Sequence, residues 1–315
     1  MQVFADISAF RESFQHCVAT IGKYDGLHLG HQQILKSLLA SAESMGLPSV
    51  VILSEPQPEE FFSPENAPPR LNHFGDKVQL LDQLGIDAVY KLAFDKYTCQ
   101  ITAEDFVKQL LVDGLGIRKL VIGDDFRFGK GRSGDFSLLA KMGENLGFEV
   151  QEEQPCENGN ERISSTLVRQ YLQDGRCKEV YQLLNRYYSI SGEVVEGKKL
   201  GRELGFPTAN ITLQQDKLPV QGIFAVQVAW HGKIFDAVAS AGFNPAVDNS
   251  SIPLLEVYLL DFDENLYGQT ITVTFLKKIR EEKFFPSLDL LREKITQDVE
   301  QARQFFNQLS EVGQV

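Results

Sequence analysis

The stretch Thr20-Ile21-Gly22-Lys23-Tyr24-Asp25-Gly26-Leu27-His28-Leu29-Gly30-His31 constrains this chain more than any other. An apolar run, Cys17-Val18-Ala19, precedes it and reads as a buried strand. After it, Ile34, Leu35, Leu38, Leu39 and Ala42 recur at helical spacing until Gly46 closes the run. The stretch is therefore predicted to be a glycine-rich strand-to-helix turn. Gly22, Gly26 and Gly30 let backbone N–H groups come close to a ligand, and the start of the helix favours an anion. His28 and His31 would face the same way on an opening helical turn. As a bare H-x-x-H they would be a surface or metal pair. Within G-x-x-D-G-x-H-x-G-H, with Asp25 included and a strand and helix on either side, they suit donors to phosphate oxygens better. No G-K-[ST] follows and there is no G-x-G-x-x-G, so the turn is neither a Walker A loop nor a dinucleotide fingerprint.

From residue 17 to about 184, short apolar strands alternate with helical patterns. Such alternation implies a mostly parallel sheet with helices on both faces, whose ligands gather at the carboxyl ends of the strands. Residues 55–69 carry five prolines and read as a long loop. Two further loops are predicted at the ligand edge. One is Gly123-Asp124-Asp125-Phe126-Arg127-Phe128-Gly129-Lys130-Gly131-Arg132, which leaves a buried strand. It is either a plain glycine-rich loop or, with aromatic faces beside cations, a seat for a planar ring carrying phosphate. The other is Arg162-Ile163-Ser164-Ser165-Thr166-Leu167-Val168-Arg169. A serine there caps a helix in any case, and three hydroxyls with Arg169 one turn in also make a phosphate site.

After Asn185 the pattern changes, and strands follow one another without helices. Thr270-Ile271-Thr272-Val273-Thr274-Phe275 alternates strictly. Consecutive short strands suggest a closed antiparallel barrel. Leu288, Leu291, Ile295, Val299, Ala302, Phe305 and Phe306 lie on one stripe of a long amphipathic helix packed on it. The expected domains are residues 1–185 and 186–315, and 315 residues suffice for two cores. The second domain has its own signature, Gly197-Lys198-Lys199-Leu200-Gly201-Arg202-Glu203-Leu204-Gly205-Phe206-Pro207-Thr208-Ala209-Asn210. A flexible cover over phosphates, with Thr208 and Asn210 oxygens for a hydrated Mg²⁺, fits it better than a plain hairpin loop. Glu256 falls mid-strand among apolar neighbours. It is either an outward, solvated carboxylate or a base for a substrate hydroxyl.

The net charge of −12 argues against a general nucleic-acid or anionic-membrane binder. Four scattered cysteines without a C-x-x-C suit a reduced, cytoplasmic protein. Residues 1–10 lack the features of a signal peptide. No apolar segment approaches the ~20 residues that span a bilayer.

In their order, these motifs resemble the bacterial bifunctional riboflavin kinase/FMN adenylyltransferase family, the prokaryotic FAD synthetases. The likeness runs from about Cys17 to Phe306. It implies a nucleotidyltransferase-type Rossmann-like domain followed by a six-stranded barrel with a long C-terminal helix. It implies that riboflavin and ATP give FMN in the barrel, and FMN and ATP give FAD and pyrophosphate in the first domain, with Mg²⁺. By that resemblance His28 and His31 hold ATP phosphates, in a turn shaped by Gly22, Asp25, Gly26 and Gly30. Ser164, Ser165, Thr166 and Arg169 bind the same phosphates, and Gln57, Asp125, Phe126 and Phe128 fall in the flavin region. Gly197, Lys198, Gly201, Arg202, Gly205, Pro207 and Thr208 serve ATP in the kinase. Thr208 and Asn210 hold the metal and Glu256 is the base. Partners would be small molecules alone, with the chain a monomer or weak homo-oligomer. Tyr24 replaces a usual Phe, Ser54 and Gln57 stand in a segment that usually reads F-x-P-H-P, and Ala246 closes a usual N/R-P-T. Two other readings accompany this one: a chain that keeps only the kinase, and a flavin-nucleotide sensor without turnover.

Overall fold

The buried run at Cys17 becomes the central strand of a six-stranded sheet. In chain order this part comprises β1 (Gln2–Phe4), α1 (Ile7–Ser13), β2 (Cys17–Gly22), α2 (Leu29–Met45), β3 (Ser49–Glu55), α3 (Pro58–Phe62), α4 (Phe74–Gln83) and β4 (Ala88–Ala93). There follow α5 (Ala103–Asp105), which runs into a π-helical stretch at Phe106–Gly114, then β5 (Ile117–Gly123), α6 (Phe136–Leu146) and β6 (Glu149–Glu153). A small ribbon of β7 (Glu157–Asn158) and β8 (Glu161–Arg162) closes it. The structure is a computed structural model and describes residues 1–159, 161–197, 200–213, 217–245 and 251–312.

All neighbouring strands of the sheet run parallel, in the order β1-β4-β3-β2-β5-β6. Parallel strands buried on both faces explain the continuous apolar runs. One face packs Ala19, Ile52, Leu120 and Ile122 under the Phe106–Gly114 segment and α6. The other packs Val18, Val51, Leu53 and Val89 under α2 and α4. The chain order reverses at β2, whose neighbours are β3 and β5. Such a switch point opens a crevice at the carboxyl end of the strands, where the loops part to opposite faces. The glycine-rich turn leaves β2 at this point. The proline-rich segment 55–69, expected to be a loop, contains α3, because Pro58 at a helix start costs no hydrogen bond.

The second part comprises α7 (Ser165–Gln173), α8 (Cys177–Leu184), β9 (Ser189–Val195), α9 (Leu200–Glu203), β10 (Ala209–Ile211), β11 (Gly222–Trp230), β12 (Lys233–Pro245), β13 (Ser251–Leu259), β14 (Thr270–Arg280) and α10 (Leu288–Val312). The strands close a barrel in the order β10-β13-β12-β11-β14-β9. Val226, Val228, Leu255, Val257, Val273 and Phe275 are wholly buried. α10 lays Ala302 and Phe306 on Ile223, Ala225, Val238 and Leu276 of the outer face. Asp298 on this helix, 2% exposed, takes a forked pair of bonds from Arg280 at the end of β14, with Nη2–Oδ2 at 2.7 Å. A buried carboxylate needs such a partner, since an unpaired charge there is strongly unfavourable.

Two compact units divide the chain, residues 1–68 with 74–164, and residues 69–73 with 165–315. This division lies at 164/165, whereas the change from strand–helix to all-strand patterning lies at 185/186. The physical reason is that α8 packs on β14, and Lys278 Nζ donates to the Gln173 carbonyl at 3.3 Å. The change from α/β to all-β patterning marks where the barrel strands begin, not where the compact unit begins.

Candidate functional sites

In the first unit the turn after β2 is held from several sides. Thr20 Oγ1 donates to the Val121 carbonyl at 2.6 Å and lies 2.6 Å from the Tyr24 hydroxyl. Tyr24, Gly26 and Leu27 all adopt left-handed backbone, with φ of 48°, 85° and 41°. For Tyr24 and Leu27 this conformation costs about 1–2 kcal/mol each, so the surroundings must impose it. Tyr24 and Leu27 are both buried, and Asp25 is buried between them in sequence.

His28 occupies the N-cap of α2, and its Nδ1 accepts the His31 backbone N–H at 3.4 Å. Histidine is not a favoured cap residue. The bond has a chemical consequence: with Nδ1 an acceptor, the neutral ring carries its proton on Nε2, which leaves that nitrogen a donor. The two imidazoles stack at 3.7 Å between centroids with an interplanar angle of 17°. Tyr24 covers His31 at 4.9 Å. A Cβ added to Gly30 would lie 3.2 Å from His28 Nδ1, so glycine is what permits that ring to fold back over the helix start. Burial pushes the His31 pKa well below the usual imidazole range, and the nearby His28, Lys23 and Lys77 push it the same way. His31 is therefore neutral at pH 7. Its enclosed Nδ1 has no hydrogen-bond partner among the described residues.

Gln57 caps α3, with its own N–H donating to Glu60 Oε2 at 2.9 Å. Its side chain is 5% exposed, and Nε2 has no partner among the described residues. On the loop after β5, Asp124 accepts two hydrogen bonds from the Arg162 guanidinium, and Asp125 lies 3.5 Å from the same group. Phe126 stacks on Phe128 at 5.5 Å. Phe128 is a buried side chain, packed on Phe106 and against Gly134, with Phe126 stacked on it. Ser164 ends the first unit. Ser165, Thr166 and Arg169 lie on the first turns of α7 in the second unit, where Arg169 Nε donates to the Pro69 carbonyl at 2.7 Å.

In the second unit, a small pocket is lined by Gly197, Arg202, Pro207, Thr208, Asn210 and Tyr267. Tyr267 gave no signal in the sequence, because it comes from a remote turn after β13. A Cβ on Gly197 would overlap the Asn210 amide, so this glycine lets the amide lie against the backbone. Gly201 likewise leaves room for the Phe206 carbonyl and Thr208. Gly205 takes φ of 91° at the end of α9. Asn210 stands opposite Glu256, and Glu256 stands opposite Ser240, on three successive strands. Leu255 and Val257 point into the barrel at 0% exposure, so Glu256 sits half-buried on the outer face beside Asn210. Both readings of Glu256 thus meet: it is outward from the barrel and also on the face that carries Asn210. Ser240 in turn donates to Glu282 at 3.2 Å. Lys198 and Ala246 lie outside the described residues.

Thr208 and Asn210 offer neutral oxygens, which suit a hard cation whose other ligands are phosphate and water. Among the described residues no cluster of three or more His, Cys, Asp or Glu could hold a metal alone. That donor set fits Mg²⁺ carried in with a nucleotide. It does not fit a resident transition metal.

The two halves match separate family models, FAD synthetase over residues 10–167 and riboflavin kinase over residues 184–306. The chain therefore joins a nucleotidyltransferase-type unit to a kinase-type barrel. It is 42% identical to the bifunctional riboflavin kinase/FMN adenylyltransferase of Haemophilus influenzae, across 98% of this chain and 100% of the relative. It is 44% identical to that of Escherichia coli K12, across 92% and 93%. A crystal structure described as a macrolide-efflux protein from Streptococcus pneumoniae superposes with a TM-score of 0.79 at 29% identity, over 91% of this chain and 94% of that one. The chain belongs to the bifunctional riboflavin kinase/FMN adenylyltransferase family. Among the described residues, no helix is long and apolar enough to cross a membrane.

Proposed function

We propose that this chain performs both reactions of its family: riboflavin and ATP give FMN and ADP, then FMN and ATP give FAD and pyrophosphate. What carries the reading is one juxtaposition in each unit, the His28–His31 stack at the switch point and the Asn210–Glu256 pair on the barrel.

In the adenylyl transfer, an FMN phosphate oxygen attacks the α-phosphorus of ATP. The bond from that phosphorus to the bridging oxygen breaks, and pyrophosphate leaves. Little covalent chemistry falls to the protein, so positioning and charge stabilisation are its task. The start of α2 and the Nε2–H of His28 serve the phosphates, with neutral His31 beside it. Phe126 and the buried amide of Gln57 serve the flavin nucleotide. Gln57 can hydrogen-bond as a histidine would, without carrying a proton. Ser164, Ser165, Thr166 and Arg169 serve ATP by the family's pattern.

In the kinase, Glu256 orients the ribityl hydroxyl and takes its proton as the oxygen attacks the γ-phosphorus. Gly197, Lys198, Gly201, Arg202, Gly205 and Pro207 form the cover over the nucleotide. Thr208 and Asn210 would hold Mg²⁺, which when bound would neutralise phosphate charge. The reading is of a cytoplasmic enzyme, monomeric or weakly self-associating, and the four free cysteines support a reducing compartment.

The test is to incubate the protein with riboflavin, ATP and Mg²⁺ and separate the products over time. Appearance of FMN and then FAD is expected. FMN alone would leave only the kinase, and no product would leave a flavin-nucleotide sensor.

A further inference from the structure

Lys77 is fully buried, at 0% exposure, on α4. Lysine is almost never wholly buried without a partner, because its ammonium loses its hydration. Here Nζ donates to the Lys23 main-chain carbonyl at 3.2 Å. Lys23 opens the left-handed run of Tyr24, Gly26 and Leu27. The Lys23 side chain is itself tied to Glu59 of α3 at 2.6 Å. Two helices thus grip one residue at the root of the turn, one by its ammonium and one by its backbone. Within the run, the bond from Leu27 N–H to the Tyr24 carbonyl is long, at 3.4 Å. A methionine would fill the same volume with no desolvation cost, so packing alone does not explain the charge.

We propose that Lys77 is a positioning residue for the adenylyl transfer: by holding the Lys23 carbonyl from inside the fold, its ammonium sets the phosphate turn and with it the placing of His28 and His31. This rests on the adenylyl-transfer reading given above. The same charge is felt at His31, together with those of His28 and Lys23. Tyr24, also packed on His31, is neutral there, because burial raises its phenol pKa. Lys77 touches no reacting atom in this account and acts through the turn.

The test uses the full chain with Lys77→Met and Lys77→Arg. For Lys77→Met, kcat for FAD formation from FMN should fall about a hundredfold, the scale of a small misplacement. Riboflavin phosphorylation should stay within about twofold of the parent, which reports an intact barrel unit. Lys77→Arg, which keeps a charged donor, should restore part of the lost rate. The His31 imidazole resonance in NMR should titrate at higher pH in Lys77→Met, because a buried cation has gone. Should Lys77→Met fail to fold, Lys77→Gln keeps an N–H donor without the charge and carries the same two readouts. FAD formation within about twofold of the parent, or an unmoved His31 titration, overturns the proposal. If the parent itself makes no FAD, the adenylyl-transfer reading fails, while the His31 titration still tests the placing of the turn.

Discussion

Asn210 and Glu256 stand directly opposite each other across the ladder between β10 and β13. Opposed antiparallel residues keep their Cβ atoms about 4.5–5.5 Å apart, so an amide and a carboxylate share one small patch of barrel surface. Glu256→Gln preserves shape and hydrogen bonding but cannot take a proton. Riboflavin phosphorylation should lose about 10²–10⁴ in kcat, with KM for riboflavin little changed. FAD formation from supplied FMN should persist. An unchanged kcat would leave Glu256 a solvated surface carboxylate.

The histidine pair should give the complementary result. His28→Ala removes a cap and a ring N–H donor, and His31→Ala removes its stacking partner. Either change should lower FAD formation by about 10²–10³, the usual loss for one anion-stabilising donor. FMN formation should remain near the parent rate. Parent-level FAD formation in either variant would remove the pair from the mechanism.

His31 also makes stability depend on pH. Its pKa in the fold lies well below the ordinary 6.5, mainly through burial. Below about pH 6.5 the unfolded chain protonates this ring while the folded chain does not. The unfolded state then binds more protons, so stability falls as pH drops from about 6.5 toward the folded value. Thermal melts between about pH 7 and pH 5 should show a declining midpoint, and His31→Gln should flatten the decline. A slope identical in the variant would show that His31 is not the group responsible.

The division at 164/165 predicts which fragment folds. Residues 165–315 retain α8 on β14 and the bond from Lys278 to Gln173. This fragment should melt cooperatively and phosphorylate riboflavin. Residues 186–315, which lose α7 and α8, should be less stable, with the difference read in urea by fluorescence of Trp230, the chain's one tryptophan. Equal midpoints would show that α7 and α8 add nothing to the barrel.

The sequence by itself determined the order of the two architectures and the location of the main motifs. Strand–helix alternation, then strict strand alternation, reflects which faces of each element are buried, and that periodicity is local. So is the turn between β2 and α2, because its glycines and histidines sit within a dozen residues. What only the tertiary structure decided depends on groups distant in the chain. Phe128 sits on a glycine-rich loop and is nonetheless core, because Phe106 and Gly134 close over it. Glu256 could not be assigned a surrounding until Asn210 and Ser240 came to lie on its two sides. Lys77 showed nothing in its helical pattern, since a buried lysine is recognised by the groups it meets, here among them a carbonyl 54 residues earlier. Hydrophobic periodicity fixes which face turns inward, but the polar partner a buried group finds there is set by how separate elements pack.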